Sequence, residues 1–362
     1  MKQPSIGILT WRNGTRFGEP AFFRRLIRTG EELGATVFLF SPEDVSEETQ
    51  GVRGFVPNSR GEWVSRWYPW PDIVLDRYRY YPLKRHQAYL PFRKKNLFRY
   101  ANSRFANKWR VHQLLWEDGR LRPWLPETHV YSEEVLWEML ERHPFLYLKP
   151  SNGTGGRSIV RIEQQANGYV VWCRGKKQNK QQRLGSQADL AVFLDKWIET
   201  ERSGEEVFLL QQGLQLSLVP QRTVDVRLLI QKNEAGEWKI TGLGGRMSGA
   251  KSAISNLHGG GKALRLEPLL HKKFGSARAR QIVRECCAMA KLACHTIEQH
   301  YGQMVEFGMD IGVDVEGHIW LIEMNPKPGR EIFREIGDLE RYGLAIKRPI
   351  QYALYLLEEK EA

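Results

Sequence analysis

Two carboxylates and an amide stand near one another late in the chain. Asp310 lies in GMDIG, and Glu323 and Asn325 flank Met324 in LIEMNPKPG. Both stretches are apolar enough to be strands, with Val315-Glu316-Gly317-His318 as the turn between them. Side chains alternate faces along a strand, so Glu323 and Asn325 project the same way, and Asp310 joins them if the register allows. Three hard oxygen donors suit magnesium, which takes few protein ligands and completes its octahedron with water and phosphate oxygens. The competing reading is a hairpin whose acidic residues face water.

Upstream residues supply chemistry for phosphate. Lys149 ends an apolar strand, and Pro150-Ser151-Asn152-Gly153-Thr154-Gly155-Gly156-Arg157-Ser158 follows it. Glycines in such a turn let backbone N–H groups approach phosphate oxygens, and the lysine meets the same oxygens as a point charge. A plain hairpin turn is the alternative, and no Gly-Lys-Ser/Thr closes the segment as a P-loop would. Asp225 and Arg227 share one face of the strand Thr223–Gln231, and Arg246 ends the strand after it. Ser255-Asn256-Leu257-His258-Gly259-Gly260-Gly261 then forms a polar loop. Arginines beside bound phosphates stabilise the charge that builds up in phosphoryl transfer. Alternatively, they pair with Asp225 as surface salt bridges of small value.

The elements that must hold these residues are legible in outline. Ile6–Thr10, a helix near Phe22–Leu33, Thr36–Phe40 and Ile73–Asp76 have the βαβ rhythm of a small parallel sheet. No G-x-G-x-x-G follows the first strand, so this sheet lacks its own dinucleotide loop. Helical periodicity runs from Asn96 to Glu117, and Ser132 caps a helix to Glu141. Strands are expected at Phe145–Lys149, Ser158–Glu163, Tyr169–Cys173 and Val207–Gln211, with a helix near Asp189–Glu199. Trp238–Gly245, the hairpin above and a helix Ala277–Tyr301 complete the chain. The 362 residues exceed what one core organises. The expected division is an α/β unit at 1–100, a central lobe at 101–206 and a C-terminal lobe at 207–362.

Composition narrows the class. No apolar run is long enough to span a bilayer, and the N-terminus lacks a secretory signal. Cys173, Cys286, Cys287 and Cys294 show no zinc spacing and read as reduced packing residues of a cytoplasmic protein. The net charge of +12 is concentrated in Lys84–Arg110 and Arg174–Arg183 and would draw polyanions. The stretch Gly175–Gln182 reads as a solvated polar loop. No zinc finger, helix-turn-helix or aromatic RNA-binding signature accompanies the charge, which argues against sequence-specific nucleic-acid binding. Lys84, Arg85, Arg93, Lys94 and Lys95 would suit an acidic peptide or polyglutamate acceptor.

In this order, the motifs resemble the ATP-grasp superfamily, in the branch of glutathione synthetase and the ligase that adds glutamate to a ribosomal protein. The resemblance covers roughly residues 100–330, and LIEMNPKPG with its follow-on Phe333–Asp338 is most similar to the YheC/YheD group of endospore coat-associated proteins. It implies an α+β fold: a Rossmann-like α/β domain, then two α+β lobes that sandwich ATP.

The roles follow residue by residue. Lys108 and Lys149 match the two nucleotide-binding lysines, and Asn152, Gly153, Thr154, Gly155, Gly156 and Ser158 the loop that closes over the triphosphate. Gln211 and Gln212 fall at the hinge that reads adenine, mainly through its backbone. Asp225, Ser255 and Asn256 match nucleotide contacts, and Arg227 and Arg246 the ligands of phosphate and intermediate. Asp310, Glu323 and Asn325 match the magnesium ligands, for two ions or for manganese in their place. Relatives carry an acid where Gln212 stands, and glutamate-ligase relatives an arginine where Ile254 stands.

The implied activity joins a carboxylate to an amine acceptor, an acidic peptide or protein among the candidates, through an acyl phosphate. Association with spore-coat proteins is implied as well. A coat protein without turnover and an ATP-dependent phosphotransferase are the rival readings.

Overall fold

The computed structural model describes residues 3–80, 83–105, 108–151, 157–176, 179–202, 206–220, 222–248 and 262–359. Strands β1 (Ser5–Leu9), β2 (Thr36–Phe40), β3 (Gly51–Pro57), β4 (Trp63–Pro69) and β5 (Ile73–Asp76) build the first sheet. β1 lies between β2 and β5, parallel to both, as the βαβ rhythm requires. Helix α1 (Pro20–Glu32) crosses over with Phe22, Phe23, Leu26, Ile27 and Gly30 turned inward at helical spacing. Gly30 permits that approach, because a Cβ there would stand 2.1 Å from a methyl of Val37. The aromatic run Trp63–Pro69, which alone signals no pairing, is the second arm of an antiparallel hairpin with β3.

The helix expected over 96–117 is shorter. Helix α2 (Tyr89–Lys95) stops at Asn96, whose φ of 51° is left-handed, a conformation asparagine tolerates. Residues 99–101 then run beside β5, with Val74 N–H donating to Arg99 O and Ala101 N–H to Val74 O, both 2.8 Å. Helix α3 (Lys108–Glu117) begins only after this extension.

The second sheet is wholly antiparallel and is formed by β6 (Thr128–Val130), β7 (Phe145–Pro150), β8 (Ile159–Gln165), β9 (Gly168–Arg174), β10 (Asn179–Leu184) and β11 (Phe208–Gln212). Its order is β10-β9-β8-β7-β11-β6. Helices α4 (Glu133–Arg142) and α5 (Gln187–Glu201) cover one face, each capped by a serine, Ser132 and Ser186. The polar loop expected at Gly175–Gln182 is corrected in part. Residues 179–184 pair with β9 as an edge strand, where lysine and glutamine are suited to discouraging further pairing.

The third sheet orders β14-β13-β12-β15-β16, from β12 (Val224–Lys232), β13 (Trp238–Met247), β14 (Lys262–Leu264), β15 (Glu306–Val313) and β16 (Ile319–Asn325). Helix α6 (Leu266–Tyr301), broken at Gly275, packs Ile282, Cys286, Met289, Ala293 and Ile297 against Val226, Leu228, Met309 and Ile311. Full burial of each large apolar side chain contributes about 1.5–3 kcal/mol, so this layer anchors the sheet from behind. Cys286 and Cys294 are free thiols in that layer, as expected of packing residues. Helices α7 (Glu331–Glu335) and α8 (Leu339–Glu358) join α1 and the first sheet in a second core. No helix among the described residues is long and apolar enough to cross a membrane.

Candidate active site

The front of the third sheet carries the chemistry. In register, Arg246 on β13 faces Asp225 on β12, Arg227 on β12 faces Asp310 on β15, and Asp310 faces Glu323 on β16. Asn325 lies opposite Gly308, two residues from Asp310. Four strands thus present six polar side chains to one face, as the period of two demands, while the apolar alternates meet α6. Gly308 clears room in this face. A Cβ there would stand 2.8 Å from Arg227 Nη1 and 2.5 Å from Pro328 Cβ.

The charges are close and largely out of water. Arg246 grips Asp225 with both arms, Nε to Oδ1 at 2.8 Å and Nη2 to Oδ2 at 2.6 Å. Nη2 of Arg227 and Nη2 of Arg246 each stand 2.9 Å from Asp310 Oδ1. That oxygen is buried, yet neither guanidinium is aligned to hydrogen-bond it. Asp225, Arg227 and Asp310 are 5%, 8% and 7% exposed, which excludes the surface-ion-pair alternative. Burial raises the Asp225 pKa and Asp310's charge adds to this, against the pull of the arginines. Burial lowers Arg227, with Arg246 acting the same way against Asp310. For Arg246, burial is outweighed by Asp310 and Asp225, and the net direction is upward.

Two lysines close the other side. Lys108, first residue of α3, places Nζ 3.0 Å from Glu323 Oε2. Lys149 near the end of β7 donates to Gln211 Oε1 at 2.7 Å, and Gln211 Nε2 donates to Thr128 Oγ1 at 2.9 Å. Burial brings Lys149 down to about 8; Glu323 opposes this and Lys108 reinforces it. The charges of Lys108 and Glu323 thus both act on Lys149, and Lys108 itself pairs with the third sheet. The hinge backbone is partly committed, since Gln212 N–H donates to Glu127 O and Gly213 N–H to Phe145 O, both at 2.9 Å.

The donors fit a small hard cation. Asp310 keeps a buried oxygen without an aligned donor, Glu323 uses one oxygen on Lys108, and Asn325 adds an amide on the same face. Among the described residues no group of three or more His, Cys, Asp or Glu could hold an ion. Two carboxylates and an amide leave coordination positions for water and phosphate, which is magnesium's habit.

The expected residues are brought together at Lys108, Lys149, Gln211, Asp225, Arg227, Arg246, Asp310, Glu323 and Asn325. Ser158 stands apart: it is buried and its hydroxyl donates to Glu201 Oε2 at 2.6 Å, pinning the strand to α5. Asn152, Gly153, Thr154, Gly155, Gly156, Ile254, Ser255, Asn256 and His258 lie outside the described residues. Arg93 is not available to an acceptor, because it is buried on Asp76 at 2.9 Å, and Lys95 pairs with Glu47.

One neighbour escaped the sequence reading. His112 follows Lys108 by one helical turn, so the two share a face. Its ring is flanked by Trp109 and Trp116, centroids 5.8 and 5.9 Å away, and Nε2 is buried without a partner. Burial lowers its pKa to about 4, with Lys149 and His129 adding to the effect, so the imidazole is neutral. Only its spacing from Lys108 could have signalled it.

The YheC/D-like ATP-grasp family matches residues 97–356. The endospore coat-associated protein YheD of Bacillus subtilis is 29% identical over 98% of this chain and 79% of its own length. The endospore coat-associated protein YheC of the same organism is 25% identical over 96% and 95%. Among solved structures, D-cycloserine synthetase DcsG aligns with a TM-score of 0.58 at 12% identity, over 98% of this chain and 99% of that one. The D-Ala:D-Ser ligase VanG from Enterococcus faecalis gives 0.56 at 11% over 98% and 100%. D-alanyl-alanine synthetase A from Vibrio cholerae gives 0.54 at 12% over 98% and 99%. At such identities the likeness is one of fold.

Proposed function

The chain belongs to the YheC/D-like ATP-grasp family, and we propose that it is an ATP- and magnesium-dependent carboxylate–amine ligase. The observation that carries this reading is the convergence of Lys108 and Lys149 with Arg227, Arg246, Asp310 and Glu323 about one space. Lysines on one side receive the triphosphate; carboxylates on the other receive its cation.

Asp310, Glu323 and Asn325 would hold magnesium, which would supply positive charge against the triphosphate. Lys149, reached through Gln211 from the hinge, fixes the α/β-phosphates, and His112 offers an uncharged hydrogen-bonding group beside it. With Gln212 and Gly213 N–H already committed, the adenine edge is read at Leu214 N–H, which has no partner among the described residues. The carboxylate substrate attacks the γ-phosphorus, and the bond to the β-bridging oxygen breaks to give an acyl phosphate and ADP. Arg227 and Arg246 stabilise the charge on the transferring group. The amine then attacks the acyl carbon, loses a proton and expels phosphate, leaving an amide. No protein nucleophile is needed.

The three-part division at 1–100, 101–206 and 207–362 suits this scheme, with ATP between the second and third parts. Association with the spore coat is proposed only from the names of YheD and YheC. The test is ADP release from Mg-ATP with pooled amino acids or an acidic peptide. Release that Glu323→Gln abolishes is the expected result. Nucleotide binding without turnover on any carboxylate would replace the proposal with a coat protein that retains the fold, and a phosphorylated alcohol product would replace it with a phosphotransferase.

A further inference from the structure

The basic run Lys84–Arg110 is only partly consumed by contacts. Lys108 meets Glu323, Arg93 is buried on Asp76, and Lys95 pairs with Glu47. Lys94, Arg99 and Arg104 instead gather about an open cleft of about 550 Å³, with Tyr100, Phe98 and Tyr301 in its walls. It lies where the chain leaves the first sheet. Ala101 N–H still bonds to Val74 O, while Ser103 N–H bonds to Gln303 O just beyond α6, at 2.7 Å.

The cleft is electrostatically unbalanced. No carboxylate among the described residues lines it. Lys94 and Arg104 are exposed and have no ion-pair partner among the described residues. Arg99 gives one Nη2 to Leu356 O and keeps its charge. The Tyr100 hydroxyl is buried without an aligned hydrogen-bond partner among the described residues, and Arg93 lies over its ring face, 3.3 Å from the centroid. The C-terminal end of α6 at Tyr301 opposes an anion with about half a unit charge, far less than three full cations.

We propose that this cleft binds a small phosphorylated anion, at a site separate from that of ATP. Its volume falls within the roughly 300–1,000 Å³ of small-ligand sites. Each phosphoryl group brings about −1.5 to −2 charge and three acceptor oxygens, so one or two balance the three cations. Arginine forks match phosphate oxygens two at a time. Carboxylates would need three groups in the same space for equal charge. The assignment stands whether or not the ligase reading does.

The test is calorimetric titration of inorganic tripolyphosphate into wild type, Lys149→Met and the double variant Lys94→Glu/Arg104→Glu. Binding should persist in Lys149→Met, which disables the ATP site, and weaken at least tenfold in the double variant. Mg-ADP affinity and the thermal midpoint of the double variant should match wild type, and Arg104→Gln alone should fall between. Tripolyphosphate binding lost in Lys149→Met, or unchanged in the double variant, overturns the site. Hexaglutamate binding more tightly than tripolyphosphate overturns the phosphate assignment.

Discussion

Two buried ionic clusters lie four residues apart on β15 and obey different rules. At its start, Glu306 is saturated: Arg77 and Arg330 reach Oε1 at 2.5 and 2.9 Å, and Gln231 and Arg330 reach Oε2 at 2.7 and 2.6 Å. Asp76 in the adjoining set is equally full, bound by Tyr78 N–H, Lys327, Tyr89 and Arg93. The surplus guanidinium surface of Arg330 and Arg77 covers the ring of Phe22. Two turns of the pleat further on, Asp310 Oδ1 has two cations at 2.9 Å and no aligned hydrogen bond among the described residues. The first cluster satisfies its carboxylates and leaves its surplus donors, Arg77 Nε and Arg330 Nε and Nη1, against Phe22; the second leaves a carboxylate oxygen short of an aligned donor. The two are joined, because Arg79 and Arg77 donate to the carbonyls of Lys327 and Pro328, just after Asn325.

This contrast can be broken by exchanging the damage. Glu323→Gln should lower ADP release on the order of 10²–10³-fold while the thermal midpoint stays near wild type. A large drop in the midpoint would move Glu323 to the structural side. Asp76→Asn should do the reverse, costing about 3–5 kcal/mol in denaturant unfolding because Lys327 and Arg93 lose a buried partner. Retained stability would show that its saturation is incidental. Arg227→Gln should reduce turnover about 10²-fold with a smaller change in ATP affinity, measured by steady-state and binding assays together.

Proton linkage sharpens the same contrast. Lys149 must be protonated to meet phosphate, and its pKa in the folded protein is about 8. Affinity for ATP is therefore present below that value and is lost as pH rises through it, by about tenfold between pH 7 and 9. Lys149→Met should flatten the profile; an unchanged slope would assign it elsewhere. His112→Phe should weaken ATP only a few-fold, and His112→Gln should recover part of that in the same binding assay.

Much of this was readable beforehand because it depends on period-two alternation and on local spacing. Glu323 and Asn325 had to share a face, and the turn at 315–318 made the Asp310 pairing available. The α+β class followed from the same patterns. What escaped depends on contacts distant in sequence. Asp76 and Lys327 are 251 residues apart, and neither sits in a motif that announces the other. The pairing of Trp63–Pro69 with 51–57 was missed although Asn58-Ser59-Arg60-Gly61 between them is a turn segment, with Asn58 Oδ1 accepting from Arg60 and Glu62 N–H. Residues 179–184 have poor β propensity and are a strand only because β9 offers an edge. The helical pattern over 96–105 was misleading, since Phe98 and Ala101 are buried by running beside β5.

The saturated junction also sets a timetable. Arg77 waits 229 residues for Glu306 and 251 for Pro328. While the chain is being synthesised from its N-terminus, the first sheet emerges with Asp76 and Arg77 lacking their partners. The loop that fixes Asn325 can be braced only once nearly the whole polypeptide has left the ribosome. Long-range closure of this kind is slow, so an unfinished chain can order its first sheet well before the wall that carries Asp310, Glu323 and Asn325 is in place.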